Sequence, residues 1–285
     1  MNHPKKTPSP LLVLCLLPAV YLLSSGADNH LLFTLGAVLS LLPEAVLLVI
    51  VNAAFKRKGA PRAVSVPLLL SSGIFFGTMS VLTVLGFVRA NRYFSSHFVG
   101  SALVIALTVL SSLYIASLSD GAVRRLCSAV LLLELVLYGL IVLMALKNGT
   151  YTNLHLSSRS PFDDVKKGLL AGAMIFEPDV YFLVTCLISY DERPLWGRFL
   201  WLKGCILLLF TVPVLFVVGE HSHFSRLPAY DLSAYSKSVL VERFNGLFMG
   251  LVTLAAVTKT ALEMYALRRC AEKLVVGKEA LNEKA

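Results

Sequence analysis

Charge is scarce in this sequence. Of 285 residues only 15% are Asp, Glu, Lys or Arg, while 56% are hydrophobic; soluble domains run nearer about 25% charged. A chain of this size cannot hide that much apolar surface from water, so lipid must solvate much of it. Cysteine is scarce as well. Cys15, Cys127, Cys186, Cys205 and Cys270 form no C-x-x-C pair, and each lies in or beside an apolar run. That argues against a disulfide framework or a zinc site and makes them small apolar fillers. Nucleophile elbow, P-loop, metalloprotease helix and dinucleotide fingerprint are all missing, which leaves nothing to support an enzyme. His221 and His223 make an H-x-H with no third ligand evident and read as a solvated loop.

The net charge of +9 does not point to nucleic acid. The basic residues sit in short clusters between apolar runs, as Lys and Arg do in membrane loops. Those runs predict an all-α, polytopic membrane bundle forming a single domain over 1–285. About eight spans fall near 10–26, 31–54, 64–88, 98–118, 123–146, 168–190, 199–218 and 239–267. The first is short and follows Lys5 and Lys6, so a cleaved signal peptide competes with a span there. With the N-terminus inside, the inner segments and C-terminal tail hold about fifteen Lys and Arg against about eight outside. Both termini are therefore expected in the cytoplasm. The only sizeable loops are 147–167 and 219–238.

Four features stand out within the spans. Gly73/Gly77, Gly168/Gly172 and Gly246/Gly250 are glycines four apart, which share a helix face and admit a close neighbour. Pro18, Pro43, Pro178 and Pro213 interrupt the first, second, sixth and seventh spans. Each removes a backbone hydrogen bond, and matching breaks in two halves are a transporter pattern. Phe176-Glu177-Pro178-Asp179 sets two carboxylates beside a helix breaker inside an apolar run, where ionisable groups face a cavity or a partner. Glu242, Asn245, Thr253, Lys259, Thr260 and Glu263 form a polar stripe along the last span, expected to face the bundle interior. Lys259 and Glu263, one turn apart, can pair.

From about Lys167 to Tyr265 the chain resembles the integral-membrane B subunit of bacterial spore germinant receptors, within the amino acid–polyamine–organocation transporter superfamily. Lys167-Gly168 leading to Phe176-Glu177-Pro178 carries one part of the likeness. The spacing of Tyr230, Glu242-Arg243-Phe244, Phe248, Lys259 and Tyr265 carries the more specific part. The family has ten helices and this chain has room for about eight, so the likeness is to a shortened form. The Glu177 match needs a one-residue slip. The resemblance implies discontinuous first and sixth helices and recognition of a small nutrient, an amino acid foremost. It also implies A- and C-type partner subunits and a place in the spore inner membrane or cell membrane. A secondary amino-acid transporter and a degenerate structural paralogue are the alternatives. The residues expected to hold a ligand are Glu177, Pro178, Asp179, Thr253 and Lys259. Neither a cofactor nor a metal is implied.

Overall fold

The computed structural model describes residues 29–46, 49, 62–94, 101–149, 160–173, 180, 196–219, 228–236 and 244–282. Among these, regular structure is entirely helical. In chain order the α-helices are α1 (His30–Leu39), α2 (Arg62–Phe94), α3 (Ser101–Ser117), α4 (Asp120–Ala145), α5 (Pro161–Ala173), α6 (Trp196–Val217), α7 (Pro228–Tyr235) and α8 (Asn245–Asn282). A 3-10 turn, Leu146–Asn148, extends α4. The expected all-α membrane bundle is therefore present, although the spans are not all equally clear. Val66–Asn91, Asp120–Asn148, Phe199–Val217 and Asn245–Val275 are long and apolar enough to cross a bilayer. His30–Val46 and Ala102–Ser117 are shorter apolar helices. The first expected span lies outside the described residues, and the sixth is described to Ala173 and again only at Val180.

Contacts between helices fix their directions. Asn29 meets Asp164, Phe33 meets Gly168 and Ser40 meets Gly172, so α1 and α5 run parallel. His30 lies beside Thr211 and Leu41 beside Gly204, so α6 is antiparallel to α1. Thr83 meets Glu263 and Gly73 meets Cys270, making α2 and α8 antiparallel. Ser112 bonds Val257 and Ala116 bonds Arg268, making α3 and α8 parallel. Tyr138 stacks on Phe210 and Gly149 lies by Phe216, so α4 and α6 are parallel. All of these relations agree with strict up-and-down alternation of α1 to α6 and α8. One end of the bundle thus collects the α3–α4 turn and the basic C-terminal part of α8.

Side chains sort by solvent as the composition demands. On α4 the outward residues Leu132, Leu133, Val136, Leu140 and Leu143 are exposed. The inward face carries Val123, Cys127, Val130, Glu134, Tyr138, Ile141 and Ala145 at three- and four-residue steps. Large leucines and valines stand outward along α2 and α3 too. An exterior of this kind is stable only against hydrocarbon.

The loop 219–238 is not wholly a loop. It holds α7, whose Ala229, Leu232 and Ser233 are buried, followed by buried Ser236. The Ser236 hydroxyl donates to the Ile141 carbonyl at 2.8 Å, and Asn148 donates to the Tyr235 carbonyl at 2.6 Å. Proline opens α7 and Asp231 follows in its first turn, the usual chemistry of a helix start. Eight residues are too few to register as a span, so hydropathy passes over the segment. Likewise α8 continues past 267 into a charged stretch. There Glu272 pairs with Arg268 at 2.7 Å and Arg269 at 3.0 Å, side-chain pairs that suit a helix surface.

The prolines behave differently from one another. In the second span α1 stops at Leu39, Ser40 forms a turn, and helical backbone resumes at 41–46 with Pro43 inside it. Proline has no N–H to bond the carbonyl four residues back, and here that carbonyl is Leu39, where the helix ends. By contrast, α6 runs unbroken through Pro213, so the expected interruption of the seventh span is corrected. The surrounding ladder and packing carry the helix past one missing bond. Pro18 and Pro178 lie outside the described residues, as do the expected breaks of the first and sixth helices.

Candidate functional site

The glycine pair of α5 builds a backbone-to-backbone contact with α1. A Cβ on Gly168 would overlap the Phe33 carbonyl oxygen and lie 2.8 Å from its carbon and 3.0 Å from the Ala37 nitrogen. On Gly172 it would sit 2.7 Å from the Ala37 carbonyl oxygen and overlap the Ser40 hydroxyl. On Gly36 of α1 it would overlap the Val165 carbonyl oxygen. Two backbones therefore touch directly, which only glycine permits at these positions. The seam is tied at its head by buried Asp164, whose carboxylate accepts from the Asn29 N–H at 3.0 Å. The Asn29 side chain in turn accepts from Leu32 N at 3.0 Å, capping α1. This places the α5 C-terminus, from which the chain leads towards Glu177, Pro178 and Asp179, beside the Ser40 turn. Those three residues lie outside the described segments.

Across α1 from this seam, α6 contributes Lys203, whose side chain is 0% exposed and donates to Glu44 at 2.5 Å. The pair joins residues 159 positions apart. A charge pair inside a membrane bundle is costly to desolvate and holds only when its geometry is good. The sequence signal for it was a lone Lys and a lone Glu in two apolar runs, with nothing to say that they meet.

A second ionic cluster joins α2 and α8. Glu263 is fully buried, accepts from the Thr83 hydroxyl at 2.9 Å and lies 3.8 Å from the Lys259 ammonium. The polar stripe of α8 thus only partly enters the interior. Lys259, Thr260 and Glu263 are buried, whereas Thr253 is exposed and its hydroxyl bonds back to the Met249 carbonyl at 2.8 Å. Six residues separate Thr253 from Lys259, which at roughly 100° per residue sets them about 120° apart. Asn245 points the stripe inward again at the other end. It accepts from Ser233 at 3.0 Å and donates to the Tyr230 hydroxyl at 3.2 Å.

Of the residues that carry the family resemblance, Tyr230 sits in α7 with its ring edge-on to Phe248, centroids 6.1 Å apart. Tyr265 lies near the basic end, with the Arg269 guanidinium 5.9 Å above its ring. Arg269 also pairs with Asp120 at the start of α4. Glu242 and Arg243 lie outside the described residues. Cys127 and Cys270 are buried in the apolar core, and Cys205 is half-buried. Among the described residues no three His, Cys, Asp or Glu side chains converge.

One buried group went unremarked in the sequence. Glu134 stands near the middle of α4, fully buried, and neither carboxylate oxygen has a hydrogen-bond partner. An isolated acid in a long apolar helix was the signal. Compared with family models, curated proteins and solved structures, the chain matches none.

Proposed function

We propose that the chain is the integral-membrane subunit of a nutrient germinant receptor and recognises a small molecule, an amino acid foremost, to trigger spore germination. The observation that carries this reading is the distribution of charge. The outside is leucine and valine, while Glu44, Lys203, Glu134, Lys259 and Glu263 lie inside. Ionisable groups kept at that cost mark substrate and ion paths in membrane bundles. The resemblance over Lys167–Tyr265 supplies the class of receptor.

In this reading the ligand ammonium lies beside Glu177 and Asp179, between the first and sixth spans. Lys259 serves a ligand carboxylate only by exchanging out of its contact with Glu263, and Thr253 acts only after rotation of α8. The whole is a single membrane domain working with A- and C-type subunits in the spore inner membrane. The end bearing Arg124, Arg125, Arg268 and Arg269 faces the cytoplasm.

The test is Glu177→Gln in a strain lacking the native gene, with germination scored against a panel of amino acids and sugars. Loss of a charge-assisted hydrogen bond costs about 1.5–3 kcal/mol, a shift of roughly ten- to a hundredfold in the effective amino-acid concentration. Protein level and membrane insertion should not change. An unaltered dose–response removes Glu177 from the site. Uptake of a labelled amino acid by proteoliposomes of the chain alone would favour a freestanding transporter instead.

A further inference from the structure

The mid-bundle carboxyl and ammonium groups of the described bundle do not balance; Asp164 and His30, also buried, stand at the heads of α5 and α1. Glu44, Glu134 and Glu263 are its mid-bundle carboxyls, and Lys203 and Lys259 its mid-bundle ammonium groups. Lys203 is held by Glu44 at 2.5 Å, and Lys259 lies 3.8 Å from Glu263. Glu134 is the remainder.

Among the described residues its surroundings offer it nothing else. On α4 the core-facing neighbours one turn away are Val130 and Tyr138, and Tyr138 is stacked on Phe210 at 4.0 Å. Among the described elements α6, α7 and α8 pack against this helix. On parallel α6, Lys203 precedes Phe210 by seven residues and so lies within about one turn of Glu134 in height. On antiparallel α8, the Asp120–Arg269 contact puts Lys259 about one to two turns below Glu134, with Glu263 lower still. On α7 the titratable groups are Tyr230, which accepts from Asn245, Asp231 in the first turn, and exposed Tyr235 at its end. Both ammonium groups at this level among the described residues are engaged, and neither Glu134 oxygen has a described donor within hydrogen-bond reach. An ionised carboxylate left so would cost many kcal/mol. A proton is the one companion that needs no room in a wall of packed side chains.

We propose that Glu134 is a proton-exchange site, taking a proton inside the bundle and giving it up when the helices around α4 rearrange. The inference rests on burial, position and charge count, and it holds for a receptor or a transporter alike. It gives the chain a way to couple a change of shape to one proton, independently of Glu177.

Dicyclohexylcarbodiimide tests it on the wild-type protein. The reagent takes the acid proton on one nitrogen while the carboxyl oxygen adds to its central carbon. Migration of the acyl group to nitrogen then leaves a stable N-acylurea, with no other reactant consumed. Peptide mass spectrometry of protein in detergent should find the adduct on Glu134, with yield falling severalfold as pH is raised between about 5 and about 9. The infrared difference spectrum between those conditions should contain the C=O stretch of a carboxylic acid, and Glu134→Gln should remove it. An unlabelled Glu134 would overturn the proposal, as would labelling indifferent to pH, which would mean a proton never released. Because labelling is read on the wild type, a poorly folding variant does not blunt the test.

Discussion

The α1–α5 seam and the α2–α8 seam both contain glycines four residues apart, and they use them differently. At Gly168 and Gly172 the opposing helix brings its own small residues, Gly36, Ala37 and Ser40, and the backbones meet. At Gly73 and Gly77 it brings Leu267, whose methyl groups would lie 3.5 and 3.9 Å from an added Cβ, an ordinary contact. No described residue comes within 4 Å of a Cβ added at Gly246 or Gly250 on α8. The spacing is identical in all three. What decides is whether the partner helix is also small where the glycines arrive, and that is a property of two segments far apart in sequence.

Substitutions should separate the seams. Gly168→Val forces a branched side chain into the Phe33 backbone. Its cost should exceed the roughly 3 kcal/mol typical of overpacking and leave no monodisperse protein by gel filtration in detergent. Glu263→Ala strikes the other seam by removing the carboxylate beside buried Lys259. A loss of about 3 kcal/mol is expected in reversible denaturant unfolding, largely recovered in Lys259→Met/Glu263→Leu. Gly73→Ala should change stability by less than about 1 kcal/mol, because helix propensity gains roughly what the Leu267 contact loses. A melting shift as large as that of a Gly168 variant would erase the distinction between the seams. Gly246→Ala should stabilise slightly, by up to about 1 kcal/mol, as no described residue opposes its Cβ. A loss of stability there would reveal a neighbour packed on that face in the membrane.

How legible the fold was depends on the range of the interaction. Periodicity and hydropathy located the helices because those signals are local: α2 contains its expected span, α4 and α6 all but the last residue of theirs, and α8 all but the first residues. α7 escaped because eight residues of mixed polarity carry no span signal. The charged end of α8 escaped because hydropathy ends where the side-chain pairs of Arg268, Arg269 and Glu272 take over. At the candidate site, Lys259 and Glu263 were readable as a one-turn pair. Lys203 and Glu44 were not, since no spacing rule links positions 159 apart. Glu134 was readable in principle: a single acid among leucines in the middle of a long helix is visible in the letters alone. Thr253 shows the opposite error, in which a stripe counted in threes and fours conceals one step of six.

The bond from Asn29 to Asp164 sets a timetable for the chain's biosynthesis. The two residues are 135 positions apart, so at about 5–20 residues per second the ribosome delivers the second roughly 7–27 seconds after the first. Throughout that interval α1 waits in the membrane with its small-residue face open and its leading amide unmatched. Because α5 must lie parallel to it, three intervening helices have to thread the bilayer before the partner arrives. A newly made α1 is therefore a half-finished surface for many seconds. Slow translation between α1 and α5, or a shortage of whatever shields nascent helices in the bilayer, should reduce the yield of folded protein more sharply than the same disturbance after α5.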